Sequence, residues 1–96
     1  MNRNEFINYV QTAYGVKGDN PWQKDPESPV FRHIGNRKWF ALVMRVKKHC
    51  IGVDSDEYID IVNFKCDKVM VDSALGNKGF YPAYHMNKEN WITVAL

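Results

Sequence analysis

At the start of the chain hydrophobic residues recur at helical spacing. Phe6, Val10 and Ala13, joined by Ile7 and Tyr14, fall on one side of a helix. Asn2 stands where a cap is wanted, and Glu5 three residues later completes a capping-box pattern. Gly15 follows at the place of a left-handed C-terminal residue, so the pattern predicts a helix up to Tyr14. Residues 16–29 lose the period. Gly18, Pro21, Pro26 and Pro29 mark an ordered loop, which Trp22 is expected to pin to the body because an indole is costly to leave in water.

The period then changes to that of strands. Val30–Ile34 and Lys38–Lys47 read as two strands joined by a tight turn at Gly35-Asn36. In the second strand Phe40, Leu42, Met44 and Val46 share one face, which is assigned to the core. Trp39, Ala41, Val43, Arg45 and Lys47 share the other, a mixed apolar and basic surface that would face solvent or a partner. A turn from His49 to Asp56 leads to a third strand, Glu57–Cys66, rich in Ile, Val, Tyr and Phe. Asp67 is placed to cap a second helix that runs through Leu75 and ends at Gly76. Phe80–His85 is a fourth strand in which Pro82 marks an edge or a bulge. Residues 87–90 turn the chain into a last strand, Trp91–Leu96.

The order helix, three strands, helix, two strands predicts an α+β, two-layer sandwich, α-β(3)-α-β(2), with an antiparallel five-stranded sheet. Adjacent strands need only short hairpins. Helices would cover one face and leave the other open. With 96 residues and no internal repeat or low-complexity segment, the whole chain, 1–96, is one domain.

Composition narrows the class. The chain is 45% hydrophobic and 25% charged, in the globular range, and 14% aromatic, so few residues can bury a useful area. No run is apolar and long enough to span a membrane, and the N-terminus lacks the apolar stretch of an export signal. Cys50 and Cys66 lie far apart without metal-like spacing and read as reduced thiols in a cytoplasmic protein. The net charge of +2 says little, but its distribution says more. Between Glu27 and Asp54 there is no acidic residue, while Arg32, Arg37, Lys38, Arg45, Lys47 and Lys48 all fall there. Asp54, Asp56, Glu57 and Asp60 follow at once, which polarises the molecule and gives it a basic side.

The stretch from Tyr81-Pro82 through His85-Met86-Asn87-Lys88 to Trp91-Ile92-Thr93-Val94 resembles the signature of the MmcQ/YjbR family: a Pro, a His-x-Asn-Lys, then a Trp leading into a strand. Two further segments agree. Val30–Gly35 with Lys38–Ala41 is similar to that family's strand, Gly, Lys-x-Phe-Ala, and Phe64–Asp67 to its strand-to-helix Lys-Cys-Asp. The opening helix and Pro21-Trp22 also fit. The resemblance implies a double-wing, secretion-chaperone-like sandwich with a third, C-terminal helix, and it implies DNA binding, the activity commonly ascribed to the family. This chain stops at Leu96, without that helix. Apolar surface around Ile92, Val94 and Leu96 is then expected to lie open and to promote weak self-association of an otherwise monomeric protein.

Candidate chemistry is sparse. No Gly-rich phosphate loop, no Gly-x-Ser-x-Gly and no zinc-type Cys/His spacing occurs, so the chain reads as a non-enzyme without a cofactor or metal. The acidic cluster lacks the spacing of a calcium loop and reads as a solvated turn. His85, Asn87, Lys88 and Trp91 offer a ring nitrogen, an amide, a cation and an indole, enough to hold an anion or a base. The plainer reading has Asn87 capping a turn, Trp91 filling the core edge and His85 bonded to backbone. Arg32, Arg37, Lys38, Arg45, Lys47 and Lys48, interleaved with Trp39, could meet phosphates while an aromatic stacks on a base. Their plainer reading is a solvated strand edge. His49 and Cys50, read as strand neighbours, point to opposite faces and are poorly arranged as an activated thiol. The sequence thus favours sequence-tolerant DNA binding through the basic strand pair and the His85–Trp91 turn. The alternative is a protein- or small-ligand-binding module using the open sheet face, with Trp39, Ala41 and Val43 at its centre.

Overall fold

The computed structural model describes residues 2–19 and 28–96; the position of Trp22, and its expected pinning role, lies outside them. Helix α1 is Arg3–Tyr14. The Asn2 side chain accepts from the Glu5 N–H at 2.9 Å, and the Glu5 carboxylate accepts from the Asn2 N–H at 3.1 Å. Gly15, at φ 65°, closes the helix by donating to the Gln11 carbonyl. Every terminal signal read from the sequence is therefore realised here.

Strands β1 (Val30–Arg32), β2 (Trp39–Lys47), β3 (Tyr58–Lys65), β4 (Phe80–Pro82) and β5 (Trp91–Ala95), with α2 (Lys68–Ala74), complete the fold. The strands form one antiparallel sheet in the order β1-β2-β3-β5-β4, so β5 lies inside it and β4, carrying Pro82, at an edge. This is the α+β, five-stranded antiparallel architecture that the element order implied.

The connections depart from expectation. The β1–β2 turn is not a tight Gly-Asn hairpin. Arg37 donates its N–H to the His33 carbonyl and His33 donates to the Lys38 carbonyl, both at 2.9 Å, and Arg37 rather than Gly35 takes the left-handed conformation, φ 61°. Pairing then steps from Phe31↔Ala41 to Arg32↔Trp39, which makes Phe40 a bulge. At the end of α2 the turn is closed by Asn77, whose side-chain amide donates to the Ser73 and Ala74 carbonyls at 3.1 and 3.3 Å; the positive φ falls on Gly79 rather than Gly76.

Cross-strand partners point to the same side of a sheet, so the register defines the two faces. One face carries Phe31, Ala41, Val43, Val62 and Phe64, and α1 packs on it through Phe6 and Val10. Ala41 and Val43 are fully buried there. This overturns the expectation that they face solvent or a partner, since the side of β2 assigned to the surface is the one α1 covers. Phe40, assigned to the opposite side, is turned by the bulge onto the α1 cluster. The other face carries Leu42, Met44, Val46, Ile61, Asn63 and Thr93. It is not left open. The 3-10 turn Lys48–Ile51 brings Ile51 against Val46 and Ile61, and Val53, Tyr81 and Tyr84 pack alongside.

Two polar groups are buried in that second face. The Thr93 hydroxyl donates a short hydrogen bond to the Asn63 side-chain oxygen and accepts from the Tyr84 N–H at 2.9 Å. The Asn63 amide donates to the Tyr84 carbonyl at 3.2 Å. This clasp lays the chain after β4 across the sheet, so the expected fourth strand to His85 ends at Pro82. At the other end of the sheet, Asp19 and Val30 form an isolated bridge, with N–H donations at 2.8 and 2.7 Å in the two directions. Of the apolar residues expected to lie open at the C-terminus, Ile92 is buried, while Val94 and Leu96 are half-buried and Leu96 packs on the α1 cluster.

Candidate nucleic-acid interface

The register divides the basic stretch into two groups. Residues 39–44 of β2 lie between Lys38 and Arg45, a span of roughly 23 Å at ~3.3 Å per residue. At the β1–β2 turn, Arg32 is committed: its Nε donates to the Asp19 carboxylate at 2.6 Å, and its guanidinium lies 5.7 Å from the Trp39 ring. Arg37 and Lys38 are exposed beside it.

At the far end of β2, Arg45 and Lys47 lie on the α1 side of the sheet, past the N-terminus of that helix. Lys47 sits directly across from Tyr58. The Arg45 guanidinium is 5.8 Å from the Tyr58 ring centre and the Lys47 ammonium 5.9 Å, and the ring itself is 60% exposed. Among the described residues neither cation has a carboxylate partner. The nearby acids are engaged elsewhere: Asp60, opposite Arg45, pairs with Arg3 at 3.8 Å, and Glu57 with Lys48 at 3.2 Å. An exposed ring close to two unpaired cations can stack on a base while phosphates meet the charges. Tyr58 was not singled out from the sequence, because its place depends on the β2–β3 register.

The His85–Trp91 turn comes apart chemically. Trp91 is buried and fills the core. Asn87 is spent on the turn, its side chain accepting from the Glu89 N–H at 2.9 Å and its carbonyl from the Asn90 N–H at 3.2 Å. His85 and Lys88 stay exposed. His85 holds φ 58°, a conformation uncommon for a residue with a Cβ, and its ring meets Tyr84 at 4.1 Å. Asn63, Thr93 and Tyr84, which fix this segment, were also not singled out; a lone amide in the apolar third strand was the available signal.

The remaining features concern sulfur and an apolar groove. Cys50 and His49 are not strand neighbours. In the 3-10 turn their side chains meet, with Sγ 3.9 Å from Nδ1, so the geometric objection raised from the sequence does not hold. Burial, and then the Asp67 carboxylate, push the Cys66 thiol above its ordinary value. Among the described residues no His, Cys, Asp and Glu side chains group as metal ligands. A groove of about 560 Å³ runs beside α1, lined by Tyr9, Tyr14, Ile34 and Phe40 among others. No helix among the described residues is long and apolar enough to cross a membrane.

An α-helix on an antiparallel β1-β2-β3-β5-β4 sheet, with a clasped turn before the last strand, defines the class: a small α+β domain. The sequence profile of the YjbR family matches residues 11–96, and the chain belongs to that family. The uncharacterized Bacillus subtilis protein YyaQ is 36% identical over 96 residues, the alignment covering 100% of this chain and 81% of YyaQ. A crystal structure of a Pseudomonas syringae protein, 48% identical, superposes with a TM-score of 0.95 and covers 100% of this chain and 82% of that one. The Deinococcus radiodurans protein DR2400, 20% identical with a TM-score of 0.63 over 93% of this chain and 62% of that one, shares the fold.

Proposed function

We propose that this protein is a non-enzymatic, cytoplasmic binding protein for nucleic acid that holds the sugar–phosphate backbone at Arg45 and Lys47 and a base against Tyr58. The observation that carries the reading is the exposed Tyr58 ring close to two cations that have no carboxylate partner among the described residues. Exposed Lys88, and Arg37 and Lys38 at the opposite end of β2, carry further positive charge. Binding of this kind tolerates any sequence and prefers single strands, because a base must leave its stack to reach the ring.

The test is a titration of labelled mixed-sequence DNA, single- and double-stranded, followed by fluorescence anisotropy. Two neutralised phosphates give a slope of log affinity against log salt of roughly −1.4 for a single strand. Substituting Arg45→Glu and Lys47→Glu together is expected to abolish binding, and Tyr58→Ala to cost about 1–3 kcal/mol, chiefly for single strands. Absence of binding at low salt, or an unaltered affinity of the double variant, rejects the reading.

A second reading is favoured by the apolar groove beside α1, where Tyr9, Tyr14 and Ile34 are each more than half exposed. It moves the alternative of a protein- or small-ligand-binding module from Trp39, Ala41 and Val43 to this groove. Binding there would be insensitive to salt and lost on Tyr14→Ser.

A further inference from the structure

A second cavity, of about 550 Å³, lies on the opposite side of the sheet from α1, between the 3-10 turn and the segment after β4. Cys50, Tyr84, His85 and Lys88 contribute its chemistry. Cys50 is free and exposed. His49 Nδ1 is 3.9 Å from its sulfur, and His49 Nε2 is 3.6 Å from the Asp56 carboxylate. In the tautomer that carries its proton on Nε2, toward Asp56, Nδ1 is an acceptor for the thiol proton. Tyr84 lines the same cavity, and burial and the Cys50 sulfur both hold its phenolic proton on. The Tyr84 backbone is anchored at that wall, its N–H by Thr93 and its carbonyl by Asn63. Two segments, the 3-10 turn and the stretch after β4, thus bring a base, a proton donor and an ammonium to one cavity beside the thiol.

We propose that Cys50 is a nucleophilic thiol whose reactant is a small hydroperoxide, with the cavity between the 3-10 turn and the Tyr84–Lys88 segment as the binding site. His49 Nδ1 takes the thiol proton. The sulfur attacks the terminal peroxide oxygen; the S–O bond forms as the O–O bond breaks. The departing oxygen carries the negative charge past the Tyr84 hydroxyl and the Lys88 ammonium and takes the proton back from His49. Sulfur is oxidised by two electrons to a sulfenic acid, and the peroxide is reduced by two to water or an alcohol. Cys66, beside Asp67, is the internal contrast.

The experiment treats the whole chain with hydrogen peroxide and a sulfenic-acid-trapping dione and follows each cysteine by peptide mass spectrometry, in buffer and in urea. Cys50 is expected to react at least about tenfold faster folded than unfolded, and faster than Cys66, since a positioned base and donor exist only in the native state. His49→Ala, at an exposed position, should bring Cys50 to its unfolded-chain rate, with added imidazole restoring part of it. Tyr84→Phe should slow the step without altering access. Equal folded and unfolded rates at Cys50, or a His49→Ala chain of native circular dichroism and unchanged rate, would overturn the proposal.

Discussion

The two faces of the sheet are held by different forces. The α1 face is dry: Phe6 meets Phe31 and Phe64 edge-on, at 6.3 and 5.4 Å between ring centres, over Ala41, Val43 and Val62. The opposite face has a smaller apolar cluster around Val46, Ile51 and Ile61, and a polar clasp of Asn63, Thr93 and the Tyr84 backbone. Aromatic packing is broad and forgiving of direction, so it supplies stability. Buried hydrogen bonds are directional, so they fix where one particular segment lies. The segments that carry His85, Lys88 and Cys50 belong to the second kind.

Three substitutions or conditions sharpen that contrast. Phe6→Ala should cost about 3–5 kcal/mol in urea denaturation, a large share of what a domain of this size possesses. A loss under about 1 kcal/mol would mean that α1 is not the main anchor. Asn63→Ala should cost about 1–3 kcal/mol and leave Thr93 and Tyr84 short of partners. Its particular mark is local: hydrogen exchange should quicken at residues 83–88 beyond the global loss, while α1 amides follow the global change only. The smallest effect is alkaline. Cys66 and Tyr84 are both raised above their ordinary values of 9.0 and 10.0. The unfolded chain therefore releases these protons first, and stability present below pH 9.0 falls as pH rises through the higher folded values. In Cys66→Ala the onset of that fall should move toward the tyrosine range, as read from denaturation midpoints against pH.

What could be read from the sequence was local. Asn2, Glu5 and Gly15 specify the ends of α1 through hydrogen bonds that span a few residues, so pattern sufficed. Asp67 likewise caps α2, accepting from the Met70 N–H at 2.8 Å. The faces of β2 were not legible, since alternation is silent about which side a helix will cover. The Phe40 bulge also reverses the count partway along the strand. The candidate site failed in the same way. The cations were visible, but whether each is free depends on partners far away in the chain: Asp19 for Arg32, Tyr58 for Arg45 and Lys47. Family resemblance pointed to the turn at His85–Trp91. Burial then shows that Trp91 serves the core, and hydrogen bonding shows that Asn87 serves the turn.

The bridge between Asp19 and Val30 clamps together the two ends of the stretch between them. Those ends are tied by paired backbone bonds and by the Arg32–Asp19 contact. Lengthening such a stretch costs only about 0.6 kcal/mol per doubling once its base is closed. The tie itself admits less freedom. A Cβ at Gly18 would stand 2.9 Å from the Pro29 Cβ, so the clamp closes only while Gly18 keeps its bare backbone.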